Sequence, residues 1–303
     1  MKTSAKQLTS YGNLGLVQIR VEPTANFLFR PAGPEIKTGG LIISESTGEG
    51  VVGKLIAINN TGEYLLLTDA DILVGAKQNR VLNKSMLLAP LSKTVLDVSC
   101  IERLRWQYTS KNFSNPGAVA DPDLRKEKAR SLSFMKNNPE EPMADTQRAV
   151  WSHVQERIRE KGCPGRTESY SELINYCMDR AGNNFPVCEP ENGCNGLAII
   201  LDRKVISADL FGREEVYRYY FPMIRDSAFR MANQGKKDKP VDIHEAYYKT
   251  LEAIDYFDAT ERHPETNYTG AGIFNIVDTA GIVGSELTFK GQLIHNALFS
   301  KYV

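Results

Sequence analysis

The chain has 303 residues, 42% of them apolar and 24% charged, with 37 basic side chains balanced by 37 acidic ones. Charges are scattered rather than blocked, and the two most basic stretches, LRKEKAR (124–130) and NQGKKDK (233–239), are diluted by acids, which argues against a nucleic-acid or anionic-membrane surface. The length suits one large domain or two smaller ones, and the composition excludes extended disorder and fibrous repeats.

In chain order, the first hundred residues read as β-rich. NLGLVQIRVEP, GGLIISES, VVGKLIAINN, EYLLLT, RVLNKSMLLAP and KTVLDVSCIERLRWQY are short apolar or alternating runs separated by turn-forming stretches. The gaps are too short for crossover helices, so antiparallel pairing is expected. From about Asp121 the period becomes helical. Val150, Trp151, Val154 and Ile158 share one face, and Gly162 is placed to end the helix. A second helix follows, with Ser169 and Glu172 spaced as a capping box. Its apolar stripe runs through Tyr170, Leu173, Ile174, Cys177 and Met178, up to Gly182.

NGLAIILDRKVISADLF then predicts two strands joined by a hairpin at Asp202 and Arg203. In EEVYRYYFPMIRDSAFRMA, Pro222 is expected to start a new helix or kink the old one. VDIHEAYYKTLEAIDYF carries a second capping pair, Asp242 and Glu245, with Ile243, Tyr247, Leu251 and Ile254 expected to face inward. The tail reads as two or three strands joined at TAG and KG. The expected fold is therefore α+β with largely antiparallel sheet: β-rich over 1–110, helical and mixed over 121–260, and terminal strands over 270–300. These parts are expected to form one interlocked domain spanning 1–303.

Most familiar chemical motifs fail. GEGVVGKL (48–55) has the glycine and lysine spacing of a phosphate-binding loop, but Leu55 stands where Ser or Thr is needed and a strand is predicted next. The GAG at Gly270 heads a strand and reads as a turn. There is no CxxC, and His244 lacks the second histidine of a zincin motif. Cys163, Cys188 and Cys194 match no zinc module and read as loop cysteines, while His153, His244, His263 and His295 read as surface or satisfied interior histidines. Five cysteines at irregular spacing suit a reducing compartment. The N-terminus has no apolar leader core and no window approaches ~18 apolar residues, so a cytoplasmic protein without a membrane partner is expected. No cofactor or metal site is predicted, although Mg²⁺ held by scattered carboxylates would leave no recognisable spacing.

The segment from Asp69 to Tyr108 stands apart. VGAKQNRVLNKS places Lys77, Gln78, Asn79 and Arg80 directly after a glycine and alanine, between two apolar runs. If VLDVSCIERLRWQY is one strand, Val98, Cys100, Glu102, Leu104 and Trp106 project from the same face. In one reading Arg80 and Lys77 hold a phosphate or carboxylate, Gln78 and Asn79 orient the ligand, and Trp106 stacks on a base. Glu102 or Asp71 then supplies a catalytic carboxylate, and Cys100 is a nucleophile only beside a stabilising cation. In the other, the KQNR run is a solvated hairpin connection, Cys100 is core, and Glu102 pairs with Arg103 or Arg105 at the surface.

This segment resembles the signature block of the ARG and Rhodanese-Phosphatase-superfamily-associated Protein domain family. The matching positions are Gly75, Lys77, Gln78, Asn79, Arg80, Val98, Ser99, Cys100, Glu102 and Trp106. Gln147 with Trp151, the block ending in Asp209 and Phe211, and GQLIHNALF extend the resemblance over the chain from about Leu14. The resemblance implies a place in handling ADP-ribose or a related nucleotide. The expected ligand is a phosphorylated, nucleotide-like small molecule, bound or hydrolysed at a glycosidic or phosphoester bond; the alternative is a non-catalytic binding or scaffold protein. The exposed strand edges of Gly272–Phe299 are also compatible with a homo-oligomer.

Overall fold

The structure is a computed structural model that describes residues 1–47, 53–138, 144–181, 188–232 and 241–302. The chain forms two compact units. The first comprises Met1–Phe27, Phe185–Thr266 and Gly272–Val303, and the second Leu28–Asn184 and Asn267–Ala271.

The chain begins the first unit with the hairpin β1 (Lys2–Tyr11) and β2 (Leu14–Glu22) and then leaves to build the second. That unit contains β3 (Phe29–Pro31), α1 (Gly33–Thr38), β4 (Leu41–Glu45), β5 (Lys54–Asn59), β6 (Tyr64–Leu67), β7 (Ile72–Gly75), β8 (Arg80–Leu82), β9 (Met86–Leu88) and β10 (Ser92–Cys100). It is completed by β11 (Phe113–Ser114), α2 (Pro122–Asn137), α3 (Ala144–Lys161) and α4 (Tyr170–Ala181). One sheet has the order β11-β7-β8-β10-β5-β4, and a small one has β3-β6-β9. Leu41, Ile43, Leu55, Leu65, Leu73, Leu82, Leu96 and Val98 bury one face as a continuous apolar cluster. A second cluster joins Ile72, Val81 and Ile101 to Leu124 of α2, Val150 and Val154 of α3, and Tyr170, Leu173 and Ile174 of α4. The β7–β8 hairpin thus has apolar packing on both sides.

The first unit resumes with β12 (Gly196–Leu201), β13 (Lys204–Phe211), α5 (Glu214–Met231), α6 (Ile243–Asp258), β14 (His263–Pro264), β15 (Ile273–Asp278), β16 (Ile282–Phe289) and β17 (Gln292–Ser300). Its eight-stranded sheet has the order β1-β2-β12-β13-β17-β16-β15-β14. Every named strand pair in the molecule is antiparallel except β3 with β6.

Local chemistry explains the boundaries. Asp202 and Arg203 adopt φ of 49° and 64°, the left-handed backbone that a tight two-residue hairpin needs. Gly162, at φ 64°, follows the last residue of α3. Asp242 caps α6 by accepting the Glu245 amide at 2.8 Å. Gly182 and the NQGKKDK stretch lie outside the described residues, as do Gly48–Val52. Lys54 and Leu55 belong to β5, so the phosphate-loop motif lacks the helix it needs.

Pro222 sits inside a single helix, α5, so of its two expected roles it does not start a new helix. Two expectations are corrected. Helix α6 buries the expected Ile254 together with Ala246, Thr250 and Phe257, leaves Tyr247 and Leu251 half-buried, and exposes Ile243 in its first turn. Strand β10 stops at Cys100, because the Ile101 amide turns to the Asn79 carbonyl (3.0 Å) and its carbonyl takes the Tyr170 amide (2.8 Å). Val98, Cys100 and Glu102 are buried, but so are Ser99 and Ile101 between them, and Leu104 and Trp106 are exposed, so the five residues do not share one face.

Candidate functional site

The GAKQNR run is a hairpin connection between β7 and β8, but it is not solvated: Gln78, Asn79 and Arg80 are all buried. Gly75 makes the turn feasible. Its φ is 124°, and a Cβ there would lie 2.4 Å from Ser110 Oγ and 3.1 Å from the Asn112 carbonyl oxygen. The turn then tightens on itself, with the Gly75 amide donating to Asn79 Oδ1 (3.1 Å) and the Ala76 amide to Ser110 Oγ (2.9 Å).

Two groups of contacts fix the polar side chains. In the first, Glu102 accepts from Arg105 Nη2 (2.6 Å) and the Asn79 amide (3.2 Å) at Oε2, and from Thr167 (2.9 Å) at Oε1. Burial alone would raise the Glu102 carboxyl, but hydrogen bonds from Arg105, Thr167 and the Asn79 amide outweigh it and hold the group below its ordinary range. Arg105 is one of the two partners expected from sequence, Arg103 being the other, but the pair is buried rather than at the surface. Its guanidinium is largely buried and also reaches the Ala76 carbonyl and Asn79 Oδ1.

In the second group, Arg80 Nη1 donates to Gln78 Oε1 (2.9 Å) and to Cys100 Sγ (2.7 Å), while Nη2 lies 3.7 Å from Glu45 Oε1. Burial pushes the Cys100 thiol up to about 11 despite the neighbouring Arg80 charge, so at neutral pH it is a protonated thiol rather than a nucleophilic thiolate. Gln147 of α3 brackets the same residue, accepting the Cys100 amide (2.7 Å) and donating to its carbonyl (2.9 Å). Trp151, one helical turn on, lies under the Arg103 guanidinium at 5.9 Å.

Lys77 turns the other way. Its ammonium lies 5.3 Å from the Trp106 ring centre and 5.2 Å from that of Tyr108, both rings being about half exposed at 48% and 49%. Beside it opens a cleft of about 600 Å³ lined by Ser44, Glu45, Thr47, Tyr108, Thr109, Ser110 and Lys111. Asp71 has a different environment. Its Oδ2 accepts from the Thr68 amide and hydroxyl (2.7 and 3.0 Å) and its Oδ1 from Asn115 (3.1 Å), closing the turn into β7.

Sequence reasoning missed a second set of buried charges. Arg125 of α2 grips Asp69 through Nε and Nη2, both at 2.9 Å, and Lys128 donates to the carbonyls of Asp69 and Leu82. Burial pushes the Lys128 ammonium down to about 7, against the pull of the Asp69 carboxylate. The one available signal was spacing: Arg125 and Lys128 are three residues apart on the face that also carries Leu124 and Leu132. In the other unit, His295 meets Asp209 at 3.0 Å, both fully buried, with the Phe211 ring 4.8 Å from the imidazole. The imidazole is thus buried and paired through Nε2.

Sheet order, helical middle and terminal strands define an α+β protein whose candidate site is built on a buried polar hairpin. The chain belongs to the ARG and Rhodanese-Phosphatase-superfamily-associated Protein domain family, which it matches over residues 2–299. No curated protein and no solved structure matches it. No described helix is long and apolar enough to cross a membrane.

Proposed function

We propose that this protein binds a phosphorylated, nucleotide-like small molecule, of the ADP-ribose class, in the cleft beside the GAKQNR hairpin. One observation carries the reading: a cleft of about 600 Å³, rich in hydroxyls, is flanked by a lysine ammonium poised between two half-exposed aromatic rings. The volume suits a small-molecule site. Lys77 and Lys111 supply positive charge for phosphate, Trp106 and Tyr108 offer flat faces to a base, and Ser44, Thr47, Thr109 and Ser110 offer hydrogen bonds to a sugar. Base stacking on such rings is worth about 1–3 kcal/mol per base. The family's name, which records association with a phosphatase superfamily, is in keeping with a phosphorylated ligand.

The reading is one of binding rather than bond cleavage. Glu102 and Asp71 are engaged by internal donors, and the Cys100 thiol is protonated. Gln78, Asn79, Arg80 and Glu102 therefore serve to hold the hairpin that presents Lys77. A second reading, a scaffold without a small ligand, is favoured by the same internal saturation of Gln78 and Asn79.

A thermal-shift panel of nucleotides and ADP-ribosyl compounds separates the two. The binding reading expects at least one compound to raise the wild-type melting temperature, and Lys77→Ala or Tyr108→Ala to remove the rise without lowering the baseline. If no member of the panel shifts the wild type, the reading fails and the scaffold stands.

A further inference from the structure

Arg80 is fully buried, and only one end of its guanidinium is used. Nη1 is held by Gln78 and Cys100, whereas Nε and Nη2 have no hydrogen-bond partner among the described residues. Those two nitrogens lie along one edge of the planar group and form the fork that takes two oxygens side by side. Opposite lies the Glu45 carboxylate, itself 3% exposed, whose Oε1 approaches Nη2 only to 3.7 Å, beyond hydrogen-bond length. The same oxygen receives the Lys77 amide at a long 3.4 Å, and Oε2 has no partner at all among the described residues. Leaving buried polar groups unmet in this way is destabilising.

One arm of the fork, Nη2, and a backbone amide thus approach the same Glu45 oxygen, and the planar carboxylate satisfies neither well. A tetrahedral oxyanion, with more oxygens in three dimensions, could meet both fork nitrogens and the amide together. Glu45 also lines the cleft, so its side chain stands between the cleft and the Arg80 guanidinium that it approaches. The guanidinium is already oriented by Gln78 and Cys100 and lies 5.8 Å from the centre of the Trp106 ring.

Resting on the cleft reading above, we propose that Glu45 is an internal placeholder in a phosphate pocket. The ligand's phosphate displaces the Glu45 carboxylate and takes the Arg80 Nε–H and Nη2–H fork with the Lys77 backbone N–H. The displaced carboxylate then faces the cleft, where it accepts hydroxyl groups of the ligand's sugar. Phosphate binding and sugar recognition are coupled through one side chain.

The test is calorimetric titration of the full chain with inorganic phosphate, AMP and adenosine. Glu45→Ala and Glu45→Gln remove the competing charge, the second with the side-chain shape kept. Both are expected to bind inorganic phosphate at least about tenfold more tightly than the wild type, and Arg80→Lys, added to either, to cancel the gain by removing the fork. Adenosine, which lacks the phosphate, is expected to gain nothing from either substitution. If the wild type binds AMP but neither Glu45 variant gains affinity for phosphate, the placeholder is overturned while the cleft reading stands. If neither the wild type nor either variant binds any of the three, both fall.

Discussion

Two buried charge clusters in the same unit are built in opposite ways. At the hairpin, Arg80, Glu102 and Arg105 are held by side chains and amides from the β7–β8 connection, the end of β10 and the approach to α4, next to an open cleft. At α2, Arg125 and Lys128 turn inward from one helix face onto Asp69 and the Leu82 carbonyl. The first cluster leaves an edge of a guanidinium unmet among the described residues; the second engages Asp69 with two parallel hydrogen bonds. Unmet capacity beside a cleft points to recognition, whereas a closed ion pair under a helix points to architecture. Replacing residues in each cluster should separate the two roles.

The largest effect is expected from Arg125→Ala. It takes the bidentate partner from a buried carboxylate and should cost about 3–5 kcal/mol, read as a lower urea midpoint. An unchanged midpoint would remove the architectural half of the contrast. Glu102→Gln keeps the shape but weakens charge-assisted bonds from Arg105 and Thr167, for an expected loss of about 2 kcal/mol.

The pH response sharpens the contrast further. The Lys128 pKa is lower in the folded protein than in the unfolded chain, so the unfolded state binds the extra proton between about 7 and the ordinary lysine value. The Lys128 contribution to stability therefore rises as pH increases through that window and is lost as pH falls through about 7. Wild type and Lys128→Met should differ in the slope of urea midpoint against pH over this range; parallel slopes would rule the contribution out.

Smaller still is the expected reactivity of Cys100. In the folded protein it should resist a soluble alkylating reagent while the partly buried Cys163 and Cys177 react first, a ranking read by peptide mass spectrometry. Smallest on stability is Lys77→Ala, within about 0.5 kcal/mol because the two rings its ammonium contacts are themselves half exposed.

The difference between the clusters also explains what could be read in advance. The β-rich start, the helical middle, the turn at Asp202 and Arg203, the stop at Gly162 and the Asp242 cap all rest on local chemistry, so they were visible in the order of residues. The end of β10 was not, because it depends on Asn79 and Tyr170, partners distant in sequence. The density of polar groups at 77–80 was equally plain, but not its division into an outward Lys77 and an inward Arg80, which packing decides. Arg125 and Lys128 were hidden for a simpler reason: LRKEKAR was weighed for net charge, and single basic residues on a charged helix carry no mark of which face is buried.

The threading of the first unit has a consequence for biosynthesis. Strand β2 pairs with β1 on one edge and with β12 on the other, Ile19 lying opposite Gly196, yet more than half of the chain is translated between them. At ordinary rates of elongation the newborn β2, with seven of its nine residues destined for burial, waits roughly ten to thirty seconds for that neighbour. During this interval it presents an open hydrogen-bonding edge to other nascent chains. Production of this protein is therefore expected to be limited by crowding on the polysome, and slower translation at lower temperature is not by itself a remedy, because it lengthens the wait.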